Sequence, residues 1–300
     1  MGISFWLIGN TPKEMELITP VGITTKAPTI NSNASLLMLG SCFAQEVGAR
    51  LVPQMPEGHI LVNPLGTMYS PTAIASTLRQ WARSEQPAAP FQGQDGCWHS
   101  WQAASVCSAT TAEECNTKLN AAWQSGQDFL RSASHLIVTF GTTRYYALTD
   151  NALASPVMNC HKEPAARFIE VEPTLEEIIA DWQALLAELL AINPSLRVIT
   201  TVSPYRYRKY GFHTSQLQKA KLLLLCDALS GATYFPSYEI LLDELRDYRF
   251  YATDMLHPSE QAVDIIAERF RQWAFSPALL HEADERLRLW RKSQHRTLVK

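Results

Sequence analysis

Short apolar runs alternate with helix-like segments along most of this 300-residue chain, and this alternation constrains the fold more than any other feature. The runs that we predict to be buried strands cover residues 36–39, 59–62, 136–140, 197–202 and 233–235. Apolar residues at helical spacing predict helices over 43–52, 71–83, 112–130, 174–192, 216–229 and 258–270, and an amphipathic helical tail over 277–296. Such alternation is typical of an α/β fold. We therefore expect a mainly parallel, about five-stranded sheet covered by helices on both faces.

Composition and charge argue against several classes of protein. The formal net charge is −3, without the basic excess of a nucleic-acid-binding protein. No stretch reaches the roughly 18 apolar residues of a membrane helix, and the apolar run 3–9 is too short for a signal peptide. We therefore expect a cytoplasmic protein that binds neither nucleic acid nor membrane. The six cysteines lack zinc spacing and indicate reduced thiols, although a bridge among Cys97, Cys107 and Cys115 stays open.

Ser41 lies on the predicted turn between the first strand and the first helix. In open parallel sheets, ligands bind beyond the carboxyl ends of the strands, which is where this turn falls. Unpaired N–H groups at a helix start can stabilise the oxyanion that forms when a serine attacks a carbonyl. A serine at this place is also a common helix cap, so the position alone does not identify a nucleophile.

A serine nucleophile needs a base, and Asp254 and His257 are suited to supply it. A carboxylate that fixes the imidazole tautomer is what a general base requires. An Asp three residues before a His, on a turn that leads into a helix, can place both side chains on one side of the backbone. We predict that this helix begins with Pro258 at its first position. The other interpretation is a capping aspartate beside an exposed histidine.

Several short motifs resemble those of one protein family, the GSCFA family, which belongs with the SGNH/GDSL-type hydrolases. The string Gly40-Ser41-Cys42-Phe43-Ala44 is the signature that gives the family its name. Further matching stretches, in the expected order, are 63–67 (NPLGT), 139–142 (TFGT), 159–162 (NCHK), 201–204 (TVSP), 234–239 (YFPSYE) and 254–259 (DMLHPS). The resemblance covers roughly residues 30–275. It implies a three-layer α/β/α sandwich of the SGNH-hydrolase type, and we divide the chain into an N-terminal arm (1–34), this hydrolase domain (35–275) and a C-terminal helical tail (276–300).

The resemblance also implies roles for individual residues. It makes Ser41 the nucleophile, and Asp254 and His257 the other two members of a catalytic triad. The backbone N–H groups of Ser41 and Gly66 would bind the oxyanion. The superfamily pattern G-x-N-D would add an asparagine, but here the matching stretch is 141–144 (GTTR), which has none. Asn159 is our preferred substitute for that asparagine and Thr143 the second.

Other residues are candidates for contact with substrate or for reactivity. His161 and Lys162 lie in a stretch that resembles the family, and Arg206 lies in the basic and aromatic stretch 205–210. Both stretches could also be solvated surface loops, which is the more common explanation for a stretch such as 205–210. Cys42, next to the nucleophile and near a helix start, could be a reactive thiol, but its side chain is expected to point into the core.

These observations predict a serine-dependent hydrolase of acyl esters that needs no metal or organic cofactor. A small-molecule or carbohydrate ester is the expected substrate, and the resemblance favours a carbohydrate O-deacetylase. One alternative is an O-acyltransferase with the same triad. Another is a degenerate, glycan-binding protein, because the G-x-N-D asparagine is missing. The oligomeric state stays open.

Overall fold

The computed structural model describes residues 18–150 and 155–297, and nine strands lie in these parts of the chain. In chain order the strands are β1 (Leu36–Gly40), β2 (Ile60–Val62), β3 (Phe91–Gln92), β4 (Trp98–His99), β5 (His135–Phe140), β6 (Tyr145–Leu148), β7 (Phe168–Val171), β8 (Arg197–Val202) and β9 (Ala232–Tyr234). Five of them form one parallel sheet in the order β2-β1-β5-β8-β9. The prediction of a five-stranded parallel sheet is confirmed.

Helices cover both faces of the sheet. In chain order they are α1 (Cys42–Leu51), α2 (Pro71–Ala82), α3 (Ala112–Ser132), α4 (Leu175–Ile192), α5 (Phe212–Ala228), the short α6 (Ser237–Glu239), α7 (Glu260–Ala274) and α8 (Pro277–Thr297). Because strand side chains alternate between faces, Leu37 and Leu39 pack with α2 to α5, whereas Leu36 and Met38 pack with α1, α7 and α8. The result is the expected three-layer α/β/α sandwich.

Local signals in the sequence explain where several elements begin and end. Thr174 and Glu177 form the capping box that starts α4, and Pro194 follows its end. The start of the last core helix was predicted wrongly. Pro258 pairs with Tyr251 in an antiparallel bridge, so α7 begins only at Glu260, with Ser259 as its cap.

Two antiparallel hairpins were not predicted. The β3–β4 hairpin lies between the predicted helices 71–83 and 112–130, where no strand was predicted, and β6 pairs with β7. The β6–β7 hairpin lies beyond the carboxyl end of β5, because Gly141 to Arg144 connect the two strands. It therefore adds a wall beside the predicted site.

The described part of the N-terminal arm packs on the core. Ile30 is fully buried and bridges to Phe275, and the indole N–H of Trp273 donates to the carbonyl of Thr25 at 2.8 Å. Residues 1–17 of that arm, and residues 298–300 of the tail, lie outside the described residues. In the described tail, Leu279 is fully buried against the face formed by α1 and α7.

Candidate active site

Ser41 stands on a tight turn between β1 and α1. Gly40 has φ +144°, and a Cβ on it would lie 2.3 Å from the carbonyl oxygen of Thr139, so only glycine fits there. Ser41 occupies the cap position of α1, but its side chain makes no capping bond. The side chain is 2% exposed, and within the described residues its Oγ has no hydrogen-bond partner. The hydroxyl is therefore not committed to capping, as an ordinary cap serine would be.

The turn is supported from β2. The Oδ1 of Asn63 accepts a hydrogen bond from the Gly40 N–H at 2.9 Å, and Asn63 itself has a positive φ of 43°. The backbone N–H of Gly66 donates to the Asn63 carbonyl at 2.8 Å, which closes the NPLG turn. The sequence motif that includes Asn63 thus fixes the residue just before Ser41.

Asp254 and His257 lie close together on an exposed loop before α7. The Nδ1 of His257 donates to Asp254 Oδ2 at 2.5 Å, and the other carboxylate oxygen accepts the N–H groups of Leu256 and His257 at 2.9 and 3.0 Å. The backbone bond from His257, followed by the bond from its ring, lowers the pKa of Asp254 to about 2. An ionised carboxylate at Nδ1 leaves Nε2 as the basic nitrogen of the ring.

Ser41 and His257 line one cavity of about 400 Å³ at the carboxyl ends of β1, β5 and β8. Part of its lining is apolar and comes from the region of α2 and from the loop after β6: Met68, Ala73, Val157 and Met158. Another part is aromatic: Tyr69, Tyr145, Tyr146, Tyr205, Tyr207 and Tyr210. The centres of the Tyr205 and His257 rings lie 4.4 Å apart, so the aromatic lining extends to His257.

Glu170 connects residues of the aromatic lining by hydrogen bonds. It accepts hydrogen bonds from the hydroxyls of Tyr146 and Tyr210, from Lys209, and from Arg144 at 2.9 Å. Burial alone would raise the pKa of Glu170, but the bonds from Tyr146, Lys209 and Arg144 keep it below its ordinary value. With four partners already bound, this carboxylate shapes the wall rather than offering a free acid.

Of the four predicted oxyanion donors, Ser41 and Asn159 line the cavity, whereas Gly66 and Thr143 do not. Asn159 lines the cavity, and its Oδ1 accepts the His161 N–H at 2.8 Å, which directs the Nδ2 donors elsewhere. The Gly66 N–H is engaged by Asn63, as described above, and Gly66 is not among the lining residues. Thr143 is fully buried behind the cavity, and within the described residues its Oγ1 has no hydrogen-bond partner.

The three predicted substrate contacts do not line the cavity. His161 is buried, and its Nε2 donates to the carbonyls of Ser100 and Ala103 at 2.8 and 3.1 Å; burial lowers its pKa, which favours the neutral ring. Lys162 follows it with a positive φ of 58°. The guanidinium of Arg206 donates to the Met255 carbonyl at 3.1 Å, so it supports the loop that carries Asp254 and His257.

Sequence reasoning missed a buried polar face on α5. Ser215, Gln218 and Lys219 are each at most 6% exposed, beneath the loops that follow β5 and β8. Their spacing continues the buried positions Leu222 and Cys226 toward the start of the helix. Polar residues in line with an apolar face were the signal that could have revealed this support.

The cysteines and acidic residues do not form a second kind of site. All six cysteines are free, and burial raises the pKa of the Cys42 thiol. Over residues 18–150 and 155–297, no group of three or more His, Cys, Asp or Glu side chains could hold a metal ion. In the same part of the chain, no helix combines the length and apolar character needed to span a bilayer.

The α/β sandwich and the serine turn agree with the comparison to known families. The GSCFA family model matches residues 35–270, and the chain belongs to the GSCFA family. No curated protein sequence is significantly similar to it.

Solved structures with a similar chain path include two esterases. A carbohydrate esterase family 3 protein from Talaromyces cellulolyticus is 11% identical with a TM-score of 0.39, covering 84% of this chain and 99% of that one. The psychrotrophic esterase EstA from Pseudoalteromonas sp. is 10% identical with a TM-score of 0.39, covering 80% and 96%.

Proposed function

We propose that this protein is a serine ester hydrolase in which Ser41, His257 and Asp254 form the catalytic triad. One observation carries the proposal: Ser41 and a carboxylate-bound His257 line the same cavity, and the Ser41 hydroxyl has no hydrogen-bond partner among the described residues. A buried hydroxyl without a partner costs free energy, so its presence needs an explanation. A nucleophile that awaits its base and substrate is such an explanation.

The chemistry follows from these positions. Ser41 Oγ attacks the ester carbonyl while His257 Nε2 takes its proton, and the alcohol leaves with that proton. Water then attacks the acyl-serine with His257 again as base, which releases the acid and restores Ser41. Asp254 keeps the ring in one tautomer and stabilises the imidazolium. Catalytic hydrogen bonds are often long before substrate binds, and the mechanism requires that Ser41 Oγ and His257 Nε2 come within hydrogen-bond distance in the substrate complex.

The oxyanion has two candidate donors. The Ser41 N–H lies at the start of α1, and its bond to the Thr139 carbonyl is long, at 3.4 Å. The second donor is Asn159 Nδ2, because His161 already occupies the other end of that amide. We assign no oxyanion role to Gly66 or Thr143, since neither lines the cavity.

The lining of the cavity favours a carbohydrate ester with a small acyl group. Tyr207 and Tyr210 stack with centroids 5.5 Å apart, and the Arg144 guanidinium lies 4.4 Å from the Tyr210 ring. Aromatic faces beside polar groups suit a sugar ring, which presents both C–H and O–H groups. The apolar part of the lining, with Met68 and Val157, suits the acyl group.

Labelling with a fluorophosphonate followed by peptide mapping tests the proposal. The probe forms a covalent bond only with an activated serine, and we expect it on the peptide that contains Ser41. The Ser41→Ala variant should not label, whereas Cys42→Ala should label at the wild-type rate. Labelling of another residue, or none in the folded wild-type protein, would contradict the proposal and favour a glycan-binding protein without turnover.

A further inference from the structure

Lys219 is a buried lysine that contacts two of the residues lining the candidate active site. It lies on α5 and is 2% exposed. Its Nζ donates to the carbonyl oxygens of Gly141 and Ser203 at 2.8 and 2.7 Å. Among the ion pairs of residues 18–150 and 155–297, none involves Lys219; besides the two carbonyls, its Nζ lies 5.9 Å from the centre of the Tyr238 ring. We call Lys219 and these two carbonyls the carbonyl clamp.

Stability alone does not explain this lysine. Removing an ammonium group from water is costly, and two neutral carbonyls compensate less than a carboxylate would. Burial accordingly lowers the pKa of Lys219 to about 7. An apolar side chain of similar length would avoid that cost, although it would leave the carbonyls of Gly141 and Ser203 without their donor from Lys219.

The two carbonyls of the clamp belong to the frame of the cavity. Gly141 directly follows β5 and Ser203 directly follows β8, neighbouring strands of the sheet, and both residues line the cavity with Ser41. Gly141 also packs on the nucleophile, because a Cβ added to it would lie 3.6 Å from Ser41 Cβ. Its N–H donates to the Tyr69 carbonyl at 2.8 Å. A shift of the Gly141 peptide would therefore move the surroundings of Ser41 directly.

We propose that Lys219 is a positioning residue for ester hydrolysis: by donating to both carbonyls it fixes the loops after β5 and β8 against Ser41. This inference rests on the proposed role of Ser41 as nucleophile. It differs from a stabilising role because the clamp should matter for the rate of the chemical step and not for the stability of the fold.

Lys219→Met and Lys219→Leu test the clamp, since both remove its donors and keep an apolar chain in the same space. Lys221→Met is the matched control, because Lys221 lies two residues along the same helix and pairs with Glu172 at 3.0 Å on the surface. For each variant, kcat and KM are measured with p-nitrophenyl acetate, together with the fluorophosphonate labelling rate and Tm.

We expect kcat and the labelling rate of the Lys219 variants to fall about 10- to 100-fold, as for misplacement of reacting groups by about an ångström. KM should change little. Tm should change by only a few degrees, because the gain from no longer burying an ammonium group offsets the loss of a donor to two carbonyls. Wild-type kcat, or failure of both variants to fold at the assay temperature, would overturn the proposal, the latter because the lysine would then serve stability. Ser41→Ala separates the two proposals: if it still labels, the hydrolase proposal fails, and if it does not label while Lys219→Met reacts normally, only the clamp fails.

Discussion

The proposed nucleophile and its base are held in the molecule in opposite ways. Ser41 is 2% exposed and lies between a fully buried strand and α1, on a turn that only glycine at position 40 permits. The side chains of Asp254 and His257 are 43% and 46% exposed, on a loop fixed by a few hydrogen bonds. Core packing therefore determines where the serine is, whereas local polar contacts determine where the base is.

This difference indicates which contacts hold each half of the site in place. A change near Ser41 acts on the packing of β1 and should affect stability and activity together. A change in the 254–257 loop acts on few buried contacts and should affect activity alone. Variants on the two sides of the site should therefore separate effects on turnover from effects on stability.

Removal of either member of the Ser41–His257 pair should nearly abolish turnover. We expect kcat to fall about 10⁴-fold or more for Ser41→Ala and for His257→Ala, because only binding and the oxyanion donors remain. The double variant should be scarcely worse than either single one, since the two act as a unit. The assay is turnover of p-nitrophenyl acetate, with circular dichroism as the control for folding. If the fold-losses in kcat of the two single variants multiply in the double variant, Ser41 and His257 do not act in one proton transfer.

Asn159 should contribute an oxyanion donor, with a smaller effect. Asn159→Ala should lower kcat about 10²–10³-fold, as loss of one such donor does in other hydrolases. Asn159→Asp is the matched variant, because it keeps an oxygen for the His161 N–H but has no amide donor. Both variants should lose activity to a similar extent. If only the alanine variant is impaired, Asn159 serves the 159–161 turn instead.

Substitution of Arg206 tests the loop that carries Asp254 and His257. Its guanidinium donates to Met255, so Arg206→Gln should lower kcat about tenfold through displacement of His257, with little change in KM or Tm. Arg249→Gln is the control, because Arg249 is exposed and pairs with Asp247 outside that loop. A raised KM with an unchanged kcat would restore the role that the sequence suggested, a direct contact with substrate.

The sheet and its serine turn were predictable because their signals are local. Residues 36–39 and 136–140 are continuous apolar runs, and a glycine follows each of them. The hairpin strands lack such a signal, since β3 and β4 are two residues long. The wrong start of α7 has a similar cause: Pro258 suits a first helical turn, but its pairing with Tyr251 depends on a contact that sequence spacing does not show.

The supports of the site were less predictable than the proposed triad. Ser41, Asp254 and His257 could be proposed because short spacings and a family motif mark them. Lys219 was not singled out in the sequence, where only its register with Leu222 marks it as buried. Which side of a helix meets the ends of β5 and β8 is a property of the tertiary structure.

Cys42 should have the smallest effect, although it adjoins the nucleophile and lines the same cavity. Burial raises the pKa of its thiol, so the thiol stays protonated at neutral pH and is a poor nucleophile. Cys42→Ala should therefore retain turnover within about twofold of the wild type, in keeping with a residue outside the proposed triad.

The sign of the pKa shift also predicts that alkylation of Cys42 by iodoacetamide accelerates only at a higher pH than for an ordinary thiol. Cys226 is the internal control in the same mass spectrum. It is a buried residue of α5 and should stay unmodified. Loss of turnover in Cys42→Ala, with turnover retained in Ser41→Ala, would replace the serine mechanism by a thiol mechanism.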